Sequence, residues 1–417
     1  MGFRFVHMAD VHLDTPFSSR DEGLRKDLRD KQRQSFENAI KFALSENVDA
    51  ILIAGDLFDN DMLSFATEKF LQKQMEILDQ KGIEVFYAPG NHDPFGDSYC
   101  LEGLKWPKNV HIFKKSTPES YTVHDDCGKP VSVIVGAGHE GSREGRNIVS
   151  EFPKAEGSVP YIGLIHAFVA GVSGTGEYDR YAPCSMEDLA SKGYSYWALG
   201  HIHSRMELNR FKPTIVYPGN LMGRNFGEEG IKGVYEVEIN DIDDIKAVFY
   251  PIPSVCFTTI SVGNLKEVKD LSALESLLVK CGDKFSDMRS IGSEIFLRII
   301  LKGQCPLYDD ILNEENMDYL TETIREALKI KYLEINAENI TRKIDLDEYR
   351  GGPHILGTVL SIIDKLKYDD DLLLKLSPRD LAIGRGLDDD EKVKYLRSLL
   401  EGIDSECASR MIKGASK

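Results

Sequence analysis

Short apolar runs, each followed at once by polar residues, recur through roughly the first 240 residues of the chain. They read FRFVHMA, DAILIAG, IEVFYAPG, VSVIVGAG, YIGLIHAF and YSYWALG. Near-continuous apolar runs of this length are typical of strands that are covered on both faces. Helical periodicity lies between the early runs, over 28–44 and 65–78. The alternation predicts an α/β layered core with a largely parallel sheet, whose polar residues gather at the carboxyl ends of the strands.

The pattern changes towards the second half of the chain. A hairpin-like stretch over 214–218 and 233–239 closes the first region, and the segment PIPSV at 251–255 marks a boundary. Beyond it, the order strand, helix, strand, helix, strand predicts a small α/β domain, and after Arg350 the periodicity becomes helical. The predicted domains are therefore 1–250, 256–346 and 353–417.

The bulk composition excludes several classes of protein. With 42% hydrophobic and 29% charged residues and no apolar stretch of bilayer length, the chain is typical of a soluble protein, and we expect no membrane span. The start MGFRFVHMADVH lacks the features of a secretory signal, so we expect a cytoplasmic protein. Seven scattered cysteines without a C-x-x-C pair argue against a disulfide framework and against a thiolate zinc site. The net charge of −17 argues against nucleic-acid binding, and no basic groove is visible in the sequence, although bound cations or a partner can supply positive charge.

Five clusters of polar residues carry the candidate chemistry. They are Asp10-x-His12, Gly55-Asp56-x-x-Asp59, Gly90-Asn91-His92-Asp93, His166 and Gly200-His201-x-His203. Side chains two positions apart lie on the same side of an extended segment, so both can point into one pocket. Imidazole, carboxylate and amide oxygen together suit manganese, iron or zinc better than calcium. Any one cluster also fits a turn or a helix cap, but that explanation has to hold five times along one chain.

This ordered set resembles the signature of the calcineurin-like metallophosphoesterases, which reads D-x-H, G-D-x-x-D, G-N-H-D/E, H and G-H-x-H. The resemblance implies a core of sheets sandwiched by helices and two divalent metal ions, expected to be manganese, with iron or zinc as alternatives. It implies that one ion is held by Asp10, His12 and His203, the other by Asn91, His166 and His201, and that Asp56 bridges both. It further implies that His92 is catalytic and that Asp59 orients its ring.

Beyond the shared signature, the chain resembles the DNA-repair nuclease branch of that family, which includes the nuclease subunit of the bacterial SbcCD complex. The strings FVHMADVHLD, AGDLFD, YWALGHIH and YPGNL carry this likeness. It implies a manganese-dependent nuclease in which the domain over 256–346 is a capping domain that helps to guide DNA. It also implies a homodimer that works with an SMC-like coiled-coil ATPase. The helical segment after Gly352 is the expected docking region, with a self-contained helical subdomain as the alternative.

We therefore expect a DNA exonuclease or endonuclease that acts in repair and hydrolyses phosphodiester bonds with hydroxide activated by two metal ions. One alternative is another substrate within the same class, such as a cyclic nucleotide or a phosphoprotein. The extra domain argues against it, because the smallest members of the class need only the catalytic core. A second alternative is a non-catalytic DNA-end-binding scaffold. The complete set of candidate ligands argues against that, because loss of hydrolysis relaxes the need for all of them together.

Overall fold

A computed structural model describes residues 2–19, 21–59, 63–96, 103–125, 127–172, 180–252, 254–342, 346–376 and 388–413. The chain divides into two compact units. The first comprises 1–258 together with 285–296, and the second comprises 259–284 together with 297–417. The finer division at 1–250, 256–346 and 353–417 remains a prediction.

The described elements follow one another along the chain. The strands are β1 Phe3–Met8, β2 Ala50–Ile53, β3 Glu84–Tyr87, β4 Val110–Ile112, β5 Glu119–His124, β6 Pro130–Ala137, β7 Tyr161–His166, β8 Tyr196–Gly200, β9 Met206–Asn209, β10 Thr214–Tyr217, β11 Gly233–Asp241, β12 Asp244–Pro251, β13 Val255–Val262, β14 Glu294–Cys305 and β15 Tyr332–Arg342. The α-helices are α1 Glu22–Glu46, α2 Phe65–Gln80, α3 Met186–Ala190, α4 Leu271–Val279, α5 Ser286–Ser290, α6 Tyr308–Ile311, α7 Glu314–Leu328, α8 Ile355–Tyr368, α9 Asp370–Lys375, α10 Asp389–Leu399 and α11 Ile403–Lys413.

Two six-stranded sheets form the first unit. One has the order β12-β11-β1-β2-β3-β4 and is parallel from β1 to β4. The other has the order β5-β6-β7-β8-β10-β9 and is parallel from β6 to β10. The predicted largely parallel arrangement is confirmed. Within each sheet, the carboxyl ends of the parallel strands lie at the same edge.

Three apolar layers hold this first unit together. One layer lies between the sheets and includes Phe5 of β1, Leu52 of β2 and Tyr196 of β8, all fully buried. A second layer packs α1 and α2 against the outer face of the first sheet. The third packs α3 and the 3₁₀ turn at 148–151 against the outer face of the second. Both faces of the central strands are therefore covered, which explains their near-continuous apolar sequences.

Local signals set the ends of the long helices. The side chain of Asp21 accepts hydrogen bonds from the N–H groups of Gly23 and Leu24 at the start of α1. The helix ends at Glu46, and the next residue, Asn47, has a left-handed backbone conformation. It therefore extends beyond the predicted 28–44 at both ends, because caps rather than apolar periodicity determine where it begins and ends.

The predicted hairpin between 214–218 and 233–239 is wrong. β10 pairs with β8 and β9 in the second sheet, whereas β11 pairs with β1 and β12 in the first. Apolar patterning identifies a strand but not its partner, and the true hairpin partner of β11 is only partly buried. The weak apolar pattern of β12 explains why the sequence did not reveal it.

The third sheet has the order β13-β14-β15, and most of its residues belong to the second unit. The order β13, α4, β14, α7, β15 confirms the predicted alternation, and α8 to α11 confirm the helical C-terminal segment. Leu360 of α8 and Ala408 of α11 are fully buried and belong to the same small apolar cluster. None of the described helices has the length and hydrophobicity needed to cross a bilayer.

Candidate metal centre

The predicted ligands lie at the carboxyl ends of strands in the two facing sheets. Asp10 and His12 follow β1, Asp56 follows β2, Asn91 follows β3, His166 ends β7, and His201 and His203 follow β8. The strands β1, β2 and β3 are parallel in the first sheet, and β7 and β8 are parallel in the second. The topology therefore brings five separate stretches of sequence to one edge of the sandwich.

Four of these residues have a left-handed backbone, which is uncommon for any residue other than glycine. The φ angle is 50° at Asp10, 52° at His12, 49° at Asp56 and 105° at His201. Such conformations persist where surrounding contacts hold them. Here the N–H of Asp10 donates to the carbonyl oxygen of Gly55 at 3.1 Å, and that of His12 donates to the carbonyl of Asp56 at 2.9 Å. The loops after β1 and β2 are thus bonded to each other.

Two imidazoles face each other in this centre. Nε2 of His12 lies 3.2 Å from Nε2 of His203. Nδ1 of His12 donates to Oδ1 of Asp59 at 3.1 Å, and Nδ1 of His203 donates to Oε1 of Glu228 at 2.8 Å. Burial lowers the pKa of His12 to about 4, so its ring is neutral near neutral pH. With each Nδ1 directed at a carboxylate, the two Nε2 atoms face each other, a contact that a shared cation would satisfy.

His166 repeats this arrangement on the second sheet. Its Nδ1 donates to the carbonyl oxygen of Ala54 at 3.0 Å. Its Nε2 lies 3.0 Å from Oδ1 of Asn91 and 3.4 Å from Oδ2 of Asp56. Burial lowers the pKa of His166, so the neutral ring presents a lone pair to two oxygen acceptors. This second group of acceptors also has the composition of a cation site.

Asp56 lies between the two groups. Its Oδ2 is 3.7 Å from Nε2 of His12, in addition to its contact with His166, and its Oδ1 accepts the N–H of His92 at 2.9 Å. Burial by itself raises the pKa of Asp56. The imidazoles of His166, His12 and His92 outweigh that effect, so the pKa lies below its ordinary value. An ionised carboxylate is therefore positioned where it can contact two cations.

Asp10 is the second buried carboxylate. Its Oδ1 lies 3.8 Å from Nε2 of His203 and 3.9 Å from Nδ1 of His166, and both its oxygens accept the backbone N–H of His201. The ring of His201 lies 5.2 Å from that of His166. Burial raises the pKa of Asp10, and the nearby charge of Asp56 raises it further. Two carboxylates so close together are both ionised when positive charge lies between them.

His92 lies at the open side of the centre. Its side chain is 42% exposed, and its Nδ1 is 3.0 Å from Oδ1 of Asp59. The hydrogen bond with Asp59 raises the pKa of His92. The same oxygen of Asp59 accepts from His12, so one carboxylate contacts the imidazoles of both residues. The structure thus brings His92 and Asp59 together, as expected from the sequence, and it adds the contact between Asp59 and His12.

Asp93 has a structural role that the sequence did not predict. It is fully buried and accepts hydrogen bonds from five groups. These are the N–H groups of Gly90, Asp56, Leu57 and Phe58 and the hydroxyl of Tyr87. The carboxylate therefore joins the loops after β2 and β3, and the last letter of the GNHD motif was its single signal in the sequence.

His139 and Glu228 also support the predicted ligands without having been predicted. His139 is fully buried, and its Nε2 donates to the carbonyl oxygen of His166 at 2.7 Å. Glu228 accepts from His203, as described above. Neither residue belongs to one of the five motif clusters.

Comparison with known proteins identifies the class of this centre. The family model described as calcineurin-like phosphoesterase matches residues 3–205. The uncharacterized metallophosphoesterase YhaO of Bacillus subtilis is 32% identical over 358 residues, which cover 84% of this chain and 85% of that protein. The chain belongs to the calcineurin-like phosphoesterase family. Two archaeal relatives are DNA double-strand break repair proteins Mre11. That of Aeropyrum pernix is 31% identical over 231 residues, covering 52% of this chain and 53% of that protein. That of Saccharolobus solfataricus is 24% identical over 429 residues, covering 96% and 99%.

Calcineurin-like phosphoesterases bind divalent metals, and the donor set of this chain fits that property. Ligand atoms of Asp10, His12, Asp56 and His203 all lie within 4.8 Å of one another. The mixture of carboxylate and imidazole donors, with lone pairs converging on shared space, is the chemistry that a divalent cation needs.

Proposed function

We propose that this phosphoesterase is a two-metal DNA nuclease that acts in DNA repair. The observation that carries the metal part is the convergence of buried acceptors, in which imidazole lone pairs face each other and face carboxylates. In this proposal one cation is held by Asp10, His12 and His203, the other by Asn91, His166 and His201, with Asp56 shared. Manganese is the expected metal, with iron or zinc as alternatives.

The chemistry follows from the positions of the chain's own groups. When bound, two cations supply polarisation of the phosphoryl oxygens and a nucleophile near neutral pH. Asp56 sets the separation of the two sites because its carboxylate contacts ligands of both. His92 holds its Nδ1 proton towards Asp59, so the exposed side of its ring can protonate or bind the leaving oxygen. His92 is thus the proposed catalytic residue, and Asp59 orients it.

The proposal that DNA is the substrate rests on the similarity to two relatives. Both Mre11 proteins are described as DNA double-strand break repair proteins, and the second aligns over 96% of this chain. The second unit adds a small α/β sheet and helices beyond the part that the family model matches. We propose that this addition is the capping domain that helps to guide DNA.

The proposed partners follow from the same likeness. We propose a homodimer in the cytoplasm that works with an SMC-like coiled-coil ATPase. The helices after Gly352 present exposed apolar side chains, among them Ile355, Ile362 and Tyr368 of α8. Charged substitutions at Ile362 and Tyr368 are expected to abolish ATPase binding without unfolding the second unit, because both side chains point to solvent. ATPase binding that survives these substitutions supports the alternative of a self-contained helical subdomain.

One assay separates the DNA nuclease from its alternatives. Purified protein is incubated with Mn²⁺ and end-labelled duplex DNA, a cyclic nucleotide or a phosphopeptide, with Asp56→Asn as the inactive control. We expect DNA to be degraded by the wild type alone, because the neutral amide cannot bridge two cations. Cleavage of one of the small substrates in place of DNA identifies a different phosphoesterase. Tight DNA-end binding without any hydrolysis identifies a scaffold.

A further inference from the structure

A carboxylate and a guanidinium outside the five motif clusters surround the outer nitrogen of His203. Glu228 is largely buried, with 11% of its side chain exposed, and its Oε1 lies 2.8 Å from Nδ1 of His203. Its Oε2 accepts from the side-chain amide of Asn220 at 2.7 Å and from the backbone N–H of Arg224 at 2.9 Å. Each oxygen of Glu228 thus has its own partners, and Oε1 is directed at the imidazole.

Arg224 holds this carboxylate from the other side. Its Nη2 donates to Oε1 of Glu228 at 2.8 Å, and its Nε lies 3.2 Å and 3.3 Å from the two oxygens. Its Nη1 lies 3.6 Å from Oδ2 of Asp59, the carboxylate that accepts from His12 and His92. One guanidinium therefore lies between the two carboxylates that orient three of the imidazoles of the centre.

The position of the proton on His203 depends on which neighbour its Nδ1 meets. Nη2 of Arg224 is 3.1 Å from Nδ1, and a bond from that donor would require a lone pair on Nδ1 and a proton on Nε2. Nε2 could then not bind a metal. Glu228 is closer and is an acceptor, so it selects the tautomer with the proton on Nδ1 and the lone pair on Nε2.

We propose that Glu228 is a positioning residue for metal binding, because it keeps the Nε2 lone pair of His203 available, and that Arg224 acts through it by fixing the carboxylate. This inference rests on the proposed two-metal centre. Arg224 is not a phosphate ligand in this assignment, because its donors are directed to Glu228 and Asp59. The pair spans the sequence GRNFGE and lies outside every motif used to recognise the family.

The test measures Mn²⁺ affinity by calorimetry on the full chain, which does not depend on turnover. Glu228→Ala is expected to weaken the binding of one of two Mn²⁺ ions by roughly 10–100-fold, because the ring loses its acceptor and meets Arg224 instead. Glu228→Gln keeps an acceptor oxygen of the same shape and is expected to recover part of that loss. Glu229→Gln is the matched control, since it removes the same charge from the exposed neighbouring residue and is expected to bind Mn²⁺ like the wild type.

A double-mutant cycle tests the part assigned to Arg224. Arg224→Ala is expected to weaken Mn²⁺ binding in the wild-type background and to cause no further loss in the Glu228→Ala background. A further loss there means that Arg224 acts independently of Glu228 and overturns that part of the proposal.

The outcomes separate this inference from the metal centre itself. A wild type that binds no Mn²⁺ refutes the two-metal centre. A wild type that binds two ions, together with a folded Glu228→Ala variant of equal affinity, refutes the positioning role while leaving the centre intact. If Glu228→Ala does not fold, Glu228→Met decides, because it keeps the length of the side chain without an acceptor oxygen, and affinity equal to that of Glu229→Gln overturns the proposal.

Discussion

His92 differs from the buried histidines around it because nearly half of its side chain reaches solvent. We expect His92→Ala to keep its affinity for Mn²⁺ and to lose turnover by roughly 10²–10⁴-fold, since it removes the proposed proton donor but none of the proposed ligands. Calorimetry gives the first quantity, and a DNA degradation assay gives the second. His124→Ala, which removes an exposed histidine on β5, is the control. Full activity in His92→Ala excludes this side chain from the mechanism.

Asp93 provides a second prediction for a single residue, this time on stability. Asp93→Asn keeps the shape but replaces one acceptor oxygen with an N–H₂ group that faces backbone donors. We expect the free energy of unfolding to fall by about 1–3 kcal/mol for each buried donor left unpaired. Denaturant titration in the presence of a chelator measures this without a contribution from metal. An unchanged unfolding midpoint contradicts the assigned role in joining the two loops.

The sequence predicted the residues that follow apolar strands, because a polar side chain at a strand end is visible as a break in the pattern. Asp10, Asp56 and His166 are of this kind, and the structure brings them within contact of one another. Glu228 escaped prediction because it contacts His203 across a distance in sequence that no local pattern encodes. His139 does follow the strand β6, but it belongs to none of the five motif clusters, so the sequence favours an ordinary loop histidine there. Tertiary approach, rather than residue type, determines their relation to the centre.

The ends of β2 and β8 approach closely although the two strands belong to different sheets. A Cβ atom at Gly200 would overlap the carbonyl oxygen of Ala54, which accepts the Nδ1 proton of His166. We expect Gly200→Ala to separate the strand ends, to lower the free energy of unfolding by about 1–3 kcal/mol and to weaken metal binding. Gly145→Ala, at a position with open space, is the control and is expected to change stability by less than about 0.5 kcal/mol. Denaturant titration and calorimetry test both, and wild-type values for Gly200→Ala contradict the prediction.

The helices α8 and α11 are connected by a partly buried ion pair between Lys367 and Asp404 whose strength depends on pH. Burial alone raises the pKa of Asp404, but hydrogen bonds from Lys367 at 2.9 Å and from the N–H of Ser405 outweigh it and lower the pKa. The stability from ionised Asp404 is complete above the ordinary aspartate pKa and is lost as the pH falls through the lower folded value. We expect the amides of α8 and α11 to be less protected against hydrogen exchange in Asp404→Asn than in the wild type above about pH 4, with the difference vanishing at lower pH.

Hydrogen exchange of the α8 and α11 amides, compared between the two proteins at each pH, measures this difference. A difference in protection that persists or grows as the pH falls contradicts the assigned ionisation of Asp404.

The order of elements was predictable, but the pairing of strands was not. Periodicity identified β11, yet its partners β1 and β12 depend on the packing of the whole sandwich. The ends of α1 also escaped prediction, because the capping residues lie outside the apolar stripe. Patterns within a short stretch of sequence thus predict the helices and strands, whereas contacts between distant stretches determine how they pack.

For the molecule as a whole, the net charge of −17 opposes binding to another polyanion. If DNA is the substrate, bound cations have to supply much of the local attraction. We expect His92→Ala to bind duplex DNA in Mn²⁺ and to bind it at least roughly tenfold more weakly in the presence of a chelator. Fluorescence anisotropy with labelled duplex measures both affinities at one ionic strength. Equal affinities place the DNA contact away from the metal centre.

The single oxygen of Asp59 that meets both His12 and His92 has a consequence for protein engineering. With the proposed roles of His12 and His92, any exchange at position 59 is expected to alter cation retention and proton delivery at the same time, so these two properties cannot be tuned separately there. Laboratory evolution towards another cation is therefore expected to leave Asp59 in place and to accumulate its changes around His203.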